Sequence, residues 1–228
     1  MIIDCISDLH GELPKLEGGD VLIVAGDLTI SHKPIEFDNF FEWLRNQDYK
    51  YKIVIGGNHD SYLQKNIMYG QISMDFGKQL DGSYDFYYLC EASVTIEGVK
   101  FFGTPWTSTF DGINPLCKAF TVDGEIQLRQ KWKIIPEDTD VLITHCPPYG
   151  IGDLVKGYFH PSENVGSIDL LDKVLSSNIR LHVFGHIHNG YGVTRIKRDS
   201  DDHETIYVNA SIMNDDYEPV NKPIKIIL

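Results

Sequence analysis

Five short stretches of the chain collect residue types that bind metal ions and move protons: "SDLHG", "AGDLT", "GGNHD", "ITHCPP" and "GHIHNG". They carry Asp8 and His10, Asp27, Asn58 with His59 and Asp60, His145, and His186 with His188. Five of the nine histidines fall here, and independent solvated loop residues would not group in this way. In an extended segment the side chains at i and i+2 point to the same side, so His186 and His188 can aim both imidazoles at one point. The donors are imidazole, carboxylate and carboxamide. With no thiolate among them, a structural zinc knuckle is excluded, and Mn, Fe, Zn, Co or Ni is suited. Asp8, His10, Asp27, Asn58, His145, His186 and His188 are too many ligands for one catalytic ion. They suit two divalent ions sharing a bridging carboxylate, roughly 3.5–4 Å apart, which together clamp an in-line displacement.

Something must bring these stretches together. Each follows a short, β-branched apolar run: "MIIDCIS" (1–7), "DVLIVA" (20–25), "YKIVIG" (51–56), "DVLITH" (140–145) and "RLHVFG" (180–185). Such runs read as buried parallel strands. Between them lie helical patterns. Phe37, Phe40, Phe41 and Leu44 fall at helical spacing after Pro34, Ile168, Leu171 and Leu175 repeat the logic, and 124–135 predicts a third helix. Hairpins are expected at 93–104 around Glu97-Gly98, and between "GYGVTRI" and "TIYVNAS". This alternation predicts a mixed-sheet α/β domain. Ligand sites in open α/β sheets form outside the carboxyl ends of the strands. Five such ends would therefore carry the seven candidate ligands and His59 to one crevice.

A chain of 228 residues supports one substantial core, so a single domain over 1–228 is expected. The formal net charge of -13 repels nucleic-acid polymers and anionic membranes, and neither is expected as a partner. Small anions differ, because bound metal ions reverse the local sign. Cys5, Cys90, Cys117 and Cys146 are scattered, with no C-x-x-C pair. Without a secretory signal or an apolar run of membrane-spanning length, the expected setting is cytoplasmic, with reduced thiols.

Other suggestive residues have plainer readings. His32, His182 and His203 lie outside the five stretches, and His182 reads as a packed strand residue. His160 sits in a Gly/Pro-punctuated loop that can rim the crevice, which makes it a candidate substrate contact. In "TPWTSTF" the default for Trp106 and Phe110 is hydrophobic packing over nucleobase stacking. The acidic tract "DSDDHE" (199–204) reads as a solvated hairpin tip.

The ordered pattern D-x-H, G-D, G-N-H-D, H and G-H-x-H, over residues 8 to 188, resembles the calcineurin-like metallophosphoesterase superfamily. Longer stretches are similar to small metallophosphoesterase-domain-containing proteins of animals, a cyclic-nucleotide phosphodiesterase-like group. These are "YKIVIGGNHD", "FFGTPWT", "IPEDTDVLITHCPPYG", "LHVFGHIHNGYG" and "IYVNAS". The likeness is thin at 66–86, 107–122 and 153–166. Some animal members lack the first histidine of G-H-x-H, which this chain has as His186. The resemblance implies a four-layer α/β/β/α sandwich with two mixed sheets, metallo-dependent phosphatase-like, and a dinuclear centre. Asp8, His10, Asp27 and His188 would hold the first ion. Asp27 would bridge to a second ion held by Asn58, His145 and His186. His59 would stay off the metals as the catalytic acid, with Asn58 and His59 touching substrate. Mn is the first expectation for both ions.

Two such ions would make hydroxide available near neutral pH to attack phosphorus in line. His59, as imidazolium, would protonate the leaving oxygen. Asp60 reads either as a partner that orients His59 or as a helix N-terminal carboxylate. The favoured substrate is a small nucleotide diester such as a cyclic nucleotide. Ions, two aspartates and one hydroxide leave about +1 at the centre, which matches a diester monoanion. Related Ser/Thr phosphatases carry arginines in G-D-x-x-D-R-G and R-G-N-H-E, where this chain has "GDLTIS" and Gly56. The alternatives are a phosphomonoesterase, including a phosphoprotein phosphatase, and a non-catalytic metal-binding scaffold. The intact ligand set and His59 argue against the scaffold.

Overall fold

Along the central strands successive side chains are buried on opposite faces, as the two-residue period of β-structure requires. The computed structural model describes residues 1–31, 33–73, 75–109, 117–156, 161–198 and 201–228. Its first part runs β1 (Ile2–Ile6), β2 (Gly19–Ala25), α1 (Pro34–Arg45), β3 (Tyr49–Ile55), α2 (Ser61–Met68) and β4 (Tyr87–Tyr88). There follow β5 (Ala92–Ile96), β6 (Val99–Thr104), β7 (Thr107–Ser108), β8 (Thr121–Val122), α3 (Gly124–Trp132) and β9 (Val141–Thr144). The last part runs β10 (Leu154–Val155), β11 (Glu163–Asn164), α4 (Ile168–Leu175), β12 (Leu181–Phe184), β13 (Gly192–Lys197), β14 (Glu204–Asn209) and β15 (Ile224–Ile227).

One sheet has the order β15-β1-β2-β3-β4, parallel apart from β15. The other is β13-β14-β12-β9-β6-β5, with four parallel inner strands and antiparallel edges β13 and β5. Three apolar clusters separate four layers. Ile3, Ile23 and Ile53 of the first sheet meet Ile143, Val183 and Val208 of the second. The alternate residues Leu22, Val24 and Val54 pack under Phe40, Phe41 and Leu44 of α1 and Leu63 of α2. On the far side Leu142, Phe184 and Tyr207 pack under Leu128 and Trp132 of α3 and Leu170 and Val174 of α4. This is the α/β/β/α sandwich with two mixed sheets. No helix among the described residues is long and apolar enough to cross a membrane.

One detail differs from the sequence expectation. In α4 the buried residues are Leu170 and Val174, while Ile168 is 53% exposed and Leu175 is 38% exposed. The buried face is the i, i+4 pair, set by Ser167, which caps the helix by accepting from the Leu170 N–H at 3.1 Å. The five strand ends are shared between the two sheets, as the expected sandwich requires. β1, β2 and β3 lie in the first, and β9 and β12 in the second. The sheets are stitched together there: Ser7 N–H donates to the Ala210 carbonyl at 2.8 Å, and Ile212 N–H to the Ser7 carbonyl at 3.0 Å.

Ser167 does more than cap α4. Its Oγ accepts from Trp132 Nε1 at 2.9 Å and donates to Glu125 Oε1 at 2.6 Å. Ser167→Ala is therefore expected to cost about 1–3 kcal/mol, since a helix cap and a buried indole donor lose their partner together. Urea unfolding measures this, and a midpoint equal to wild type contradicts the network.

Candidate metal centre

Where β1, β2 and β12 end, the chain turns sharply so that side chains face the seam. Asp8, His10, Asp27 and His186 have φ of 54, 47, 52 and 70°, in the left-handed region. Each such non-glycine residue costs about 1–3 kcal/mol and persists only when its surroundings over-determine it. Here they do. The Asp8 carboxylate accepts the His186 N–H at 2.9 and 3.1 Å, and Asp27 Oδ1 accepts the His59 N–H at 2.8 Å. Glycines give the carboxylates room: a Cβ on Gly57 would collide with Asp27, and one on Gly185 with Asp8 and Ser7.

The seven candidate ligands and His59 converge. The ligand atoms of Asp8, His10 and His188 lie within 4.8 Å of one another, as do those of Asp27, His145 and His186. His10, Asp27 and His59 form a third such group that joins the two. His10 Nε2 is 3.2 Å from His188 Nε2, and His145 Nε2 is 3.2 Å from Asp27 Oδ2 and 3.0 Å from Asn58 Oδ1. Tautomers follow from the outer partners. His145 Nδ1 donates to the Ala25 carbonyl at 3.0 Å, and His188 Nδ1 to the Asn214 carbonyl at 2.9 Å. A carbonyl only accepts, so in the neutral imidazole each Nε2 carries the lone pair, directed inward, as the outer hydrogen-bond partners of metal-binding histidines arrange it. Hard and borderline donors, fixed tautomers and two carboxylates buried at 0% and 2% exposure fit a pair of divalent cations.

The electrostatics agree. Burial lowers His145, but the Asp27 carboxylate outweighs it, first by charge and then by hydrogen bond, and the net is upward to about 9. Asp27 is held well below the usual carboxylate range: burial opposes this, and His145 and His59 prevail. His186 is pushed down to about 3 by burial and by His145, and His10 down to about 4 by burial against the pull of Asp27 and Asp8.

Asp60 stands at the N-terminus of α2, as one of its two readings expects, but its carboxylate is engaged elsewhere. Its carboxylate accepts from Gly57 N–H at 2.8 Å, Thr29 N–H at 3.0 Å, Thr29 Oγ1 at 2.9 Å and Leu28 N–H at 3.2 Å. It precedes α2 without capping it, and instead ties the loop after β2 to the loop after β3. His182 is fully buried with its Nε2 2.9 Å from Thr144 Oγ1, a packed strand histidine as read. Trp106 is partly buried and Lys131 Nζ lies 3.7 Å from its ring centroid, so it packs. Asp201 and Asp202 are exposed and pair with Arg198 and Lys197. His160, His32 and Phe110 lie outside the described residues.

A sixth strand end, outside the five motif stretches, also reaches the site. The segment after β14 supplies the Asn214 carbonyl to His188 and sets Tyr217, at φ 59°, with its ring centroid 4.8 Å from His10 and 5.0 Å from His188. The signal was present: "IYVNAS" was read as a strand and "NDD" is turn-forming. Tyr217, Lys118, Ser108, Leu154 and Val155 line a cavity of about 330 Å³ that opens onto Asp27, Asn58 and His59.

A divalent ion at Asp27, His145 and His186 requires neutral imidazole, so binding to metal-free protein must displace the His145 proton below pH about 9. Affinity is expected to rise as pH increases, by up to about tenfold per unit, and to level off above that pKa. Calorimetric titration in buffers of different ionisation enthalpy reads the proton directly, and a pH-independent affinity between pH 6 and 9 refutes this assignment.

The chain matches the calcineurin-like phosphoesterase family over residues 1–190. It is 39% identical over 241 residues to the human Metallophosphoesterase domain-containing protein 1, covering 98% of this chain and 70% of that one. A UPF0046 protein of Caenorhabditis elegans is 35% identical over 230 residues, with 96% of this chain and 72% of the relative covered. A solved crystal structure at 15% identity superposes with a TM-score of 0.58 over 91% of this chain and 89% of its own, a likeness of fold alone. The family normally binds two divalent metals, and the clustered donors supply candidate ligands for them. By family match, long-range identity and fold together, the chain belongs to the calcineurin-like phosphoesterases.

Proposed function

We propose that this chain is a two-metal phosphodiesterase acting on small nucleotide diesters such as cyclic nucleotides. The observation that carries the reading is the pair of donor groups around Asp27, beside a cavity that has no arginine among its described lining residues. Asp8, His10, Asp27 and His188 hold one ion, and Asp27, Asn58, His145 and His186 the other. Mn is the favoured metal, with Fe, Zn, Co or Ni as alternatives. When bound, two divalent ions supply Lewis acidity and a nucleophile at neutral pH. The protein's own groups do the rest. His59, whose ring centroid lies 4.5 Å from that of His10, holds the proton for the leaving oxygen, and Asn58 and His59 face the substrate from the cavity wall.

Charge favours the diester. Asp27, Glu163 and Asp215 line the cavity, and Lys118 is the one lysine or arginine among its described lining residues. Gly56 has no room for the arginine of the Ser/Thr phosphatases, because a Cβ there would lie 2.7 Å from the Phe120 ring. A monoester dianion gains most from bidentate arginine. Lys118 supports the second reading, a phosphomonoesterase. With the net charge of -13, a nucleic-acid polymer and an anionic membrane are poor partners. The free cysteines Cys5, Cys90, Cys117 and Cys146 favour a cytoplasmic setting.

With saturating metal at one ionic strength, kcat/KM is expected to be higher on bis-p-nitrophenyl phosphate and cyclic nucleotides than on p-nitrophenyl phosphate or phosphoserine peptides. A clear preference for the monoesters overturns the diester reading and promotes the phosphatase. Asp27→Asn is expected to weaken both metal sites and to reduce turnover by at least about 10²-fold, since the bridging charge is lost. Full metal content with wild-type rate in this variant removes Asp27 from the bridge.

A further inference from the structure

The turn Gly56–His59 is gripped by a second segment that carries none of the metal-binding pattern, residues 117–120. The Phe120 ring fills the space beside Gly56. Ala119 N–H donates to the Asn58 carbonyl at 3.1 Å, and Asn58 Nδ2 donates to the Cys117 carbonyl at 3.4 Å. Cys117 Sγ lies 3.5 Å from His59 Nδ1. Phe120, at φ 48°, is pinned from behind by Thr107 N–H, which donates to its carbonyl at 3.0 Å. Four contacts thus fall on one four-residue turn.

We propose that Cys117 is a positioning residue for His59, delivered by this strap. The argument rests on the acid role given to His59 above. An imidazole that protonates a leaving oxygen through Nε2 must keep its ring plane, and a contact at Nδ1 restrains rotation about the Cβ–Cγ bond. Asp60, the partner suggested by chain position, spends its carboxylate on Gly57, Leu28 and Thr29. The thiol comes instead from a distant segment. The same residue's carbonyl holds the Asn58 amide group, which leaves Asn58 Oδ1 turned to His145. One residue therefore sets the orientation of two neighbours with different tasks, a ligand and an acid. Cys117 also borders the cavity beside Asn58 and His59, so the contact lies where substrate would bind.

The test compares metal-loaded wild type with Cys117→Ala and Cys117→Ser, both of which keep the main-chain contact to Asn58. Loss of one such side-chain hydrogen bond is expected to lower kcat on a cyclic nucleotide, whose leaving group is an alkoxide, by about 3–10-fold. KM and metal content stay within about twofold of wild type. The loss is smaller on bis-p-nitrophenyl phosphate, whose leaving group needs less help from an acid, and Cys117→Ser recovers most of it. Independently of turnover, the His59 Nδ1 resonance in zinc-loaded, substrate-free protein is expected to move in Cys117→Ala and to move less in Cys117→Ser. Equal losses on the two substrates, no loss on either, or an unmoved Nδ1 resonance overturns the proposal. If wild type turns over no diester, the phosphodiesterase reading fails, and the resonance alone still decides whether Cys117 holds His59.

Discussion

Two carboxylates, Asp8 and Asp27, are buried at the junction of two sheets, and the rest of the centre answers to that constraint. An unpaired buried carboxylate is expensive, by several kcal/mol even after the protein relaxes. The chain meets part of that cost with backbone donors, the amides of His186 and His59. It meets more with imidazoles, and a proton drawn onto His145 shows how strongly the cluster attracts positive charge. Divalent cations satisfy the same demand with far greater charge density. The buried carboxylates that gather amides and imidazoles around them are thus the groups that would attract a metal ion.

That constraint explains local choices which look unrelated in the sequence. Gly57 and Gly185 have no Cβ because the Asp27 and Asp8 carboxylates occupy the space. Four candidate ligands adopt left-handed backbone, which is affordable only because strand pairing on one side and hydrogen bonds on the other hold them there. Asp60 belongs to the same scheme. Its four donors lock the loops after β2 and β3 into one unit, so Asp27 and Asn58 cannot drift apart.

Outside the metal-binding pattern, two segments act as braces. The strap at 117–120 grips the turn that carries Asn58 and His59. The turn at 214–218 is closed by its own Asn214, whose Oδ1 accepts from the Asp216 and Glu218 N–H groups. That turn sets the His188 tautomer through its carbonyl and holds Tyr217 over the ligand rings. Metal-site geometry depends on such outer partners nearly as much as on the ligands.

The sequence by itself marked the central strands and the candidate ligand residues that follow them, and its family resemblance implied the four-layer architecture. Apolar alternation is local, and so is the placing of "DLH", "GNHD" or "GHIH" directly after a strand. It did not place β15, which closes the first sheet by antiparallel pairing with β1, because pairing across the length of the chain leaves no local periodicity. Nor does local periodicity say which strand belongs to which of the two sheets. Five strand ends after five apolar runs look alike whether they share a sheet or face each other across Ser7 and Ala210. The contacts of Asp60, Asn214, Tyr217 and Cys117 were likewise visible only in the tertiary structure. Each acts through contacts to segments distant in sequence or through main-chain atoms, and a carbonyl or amide has no letter of its own in the sequence.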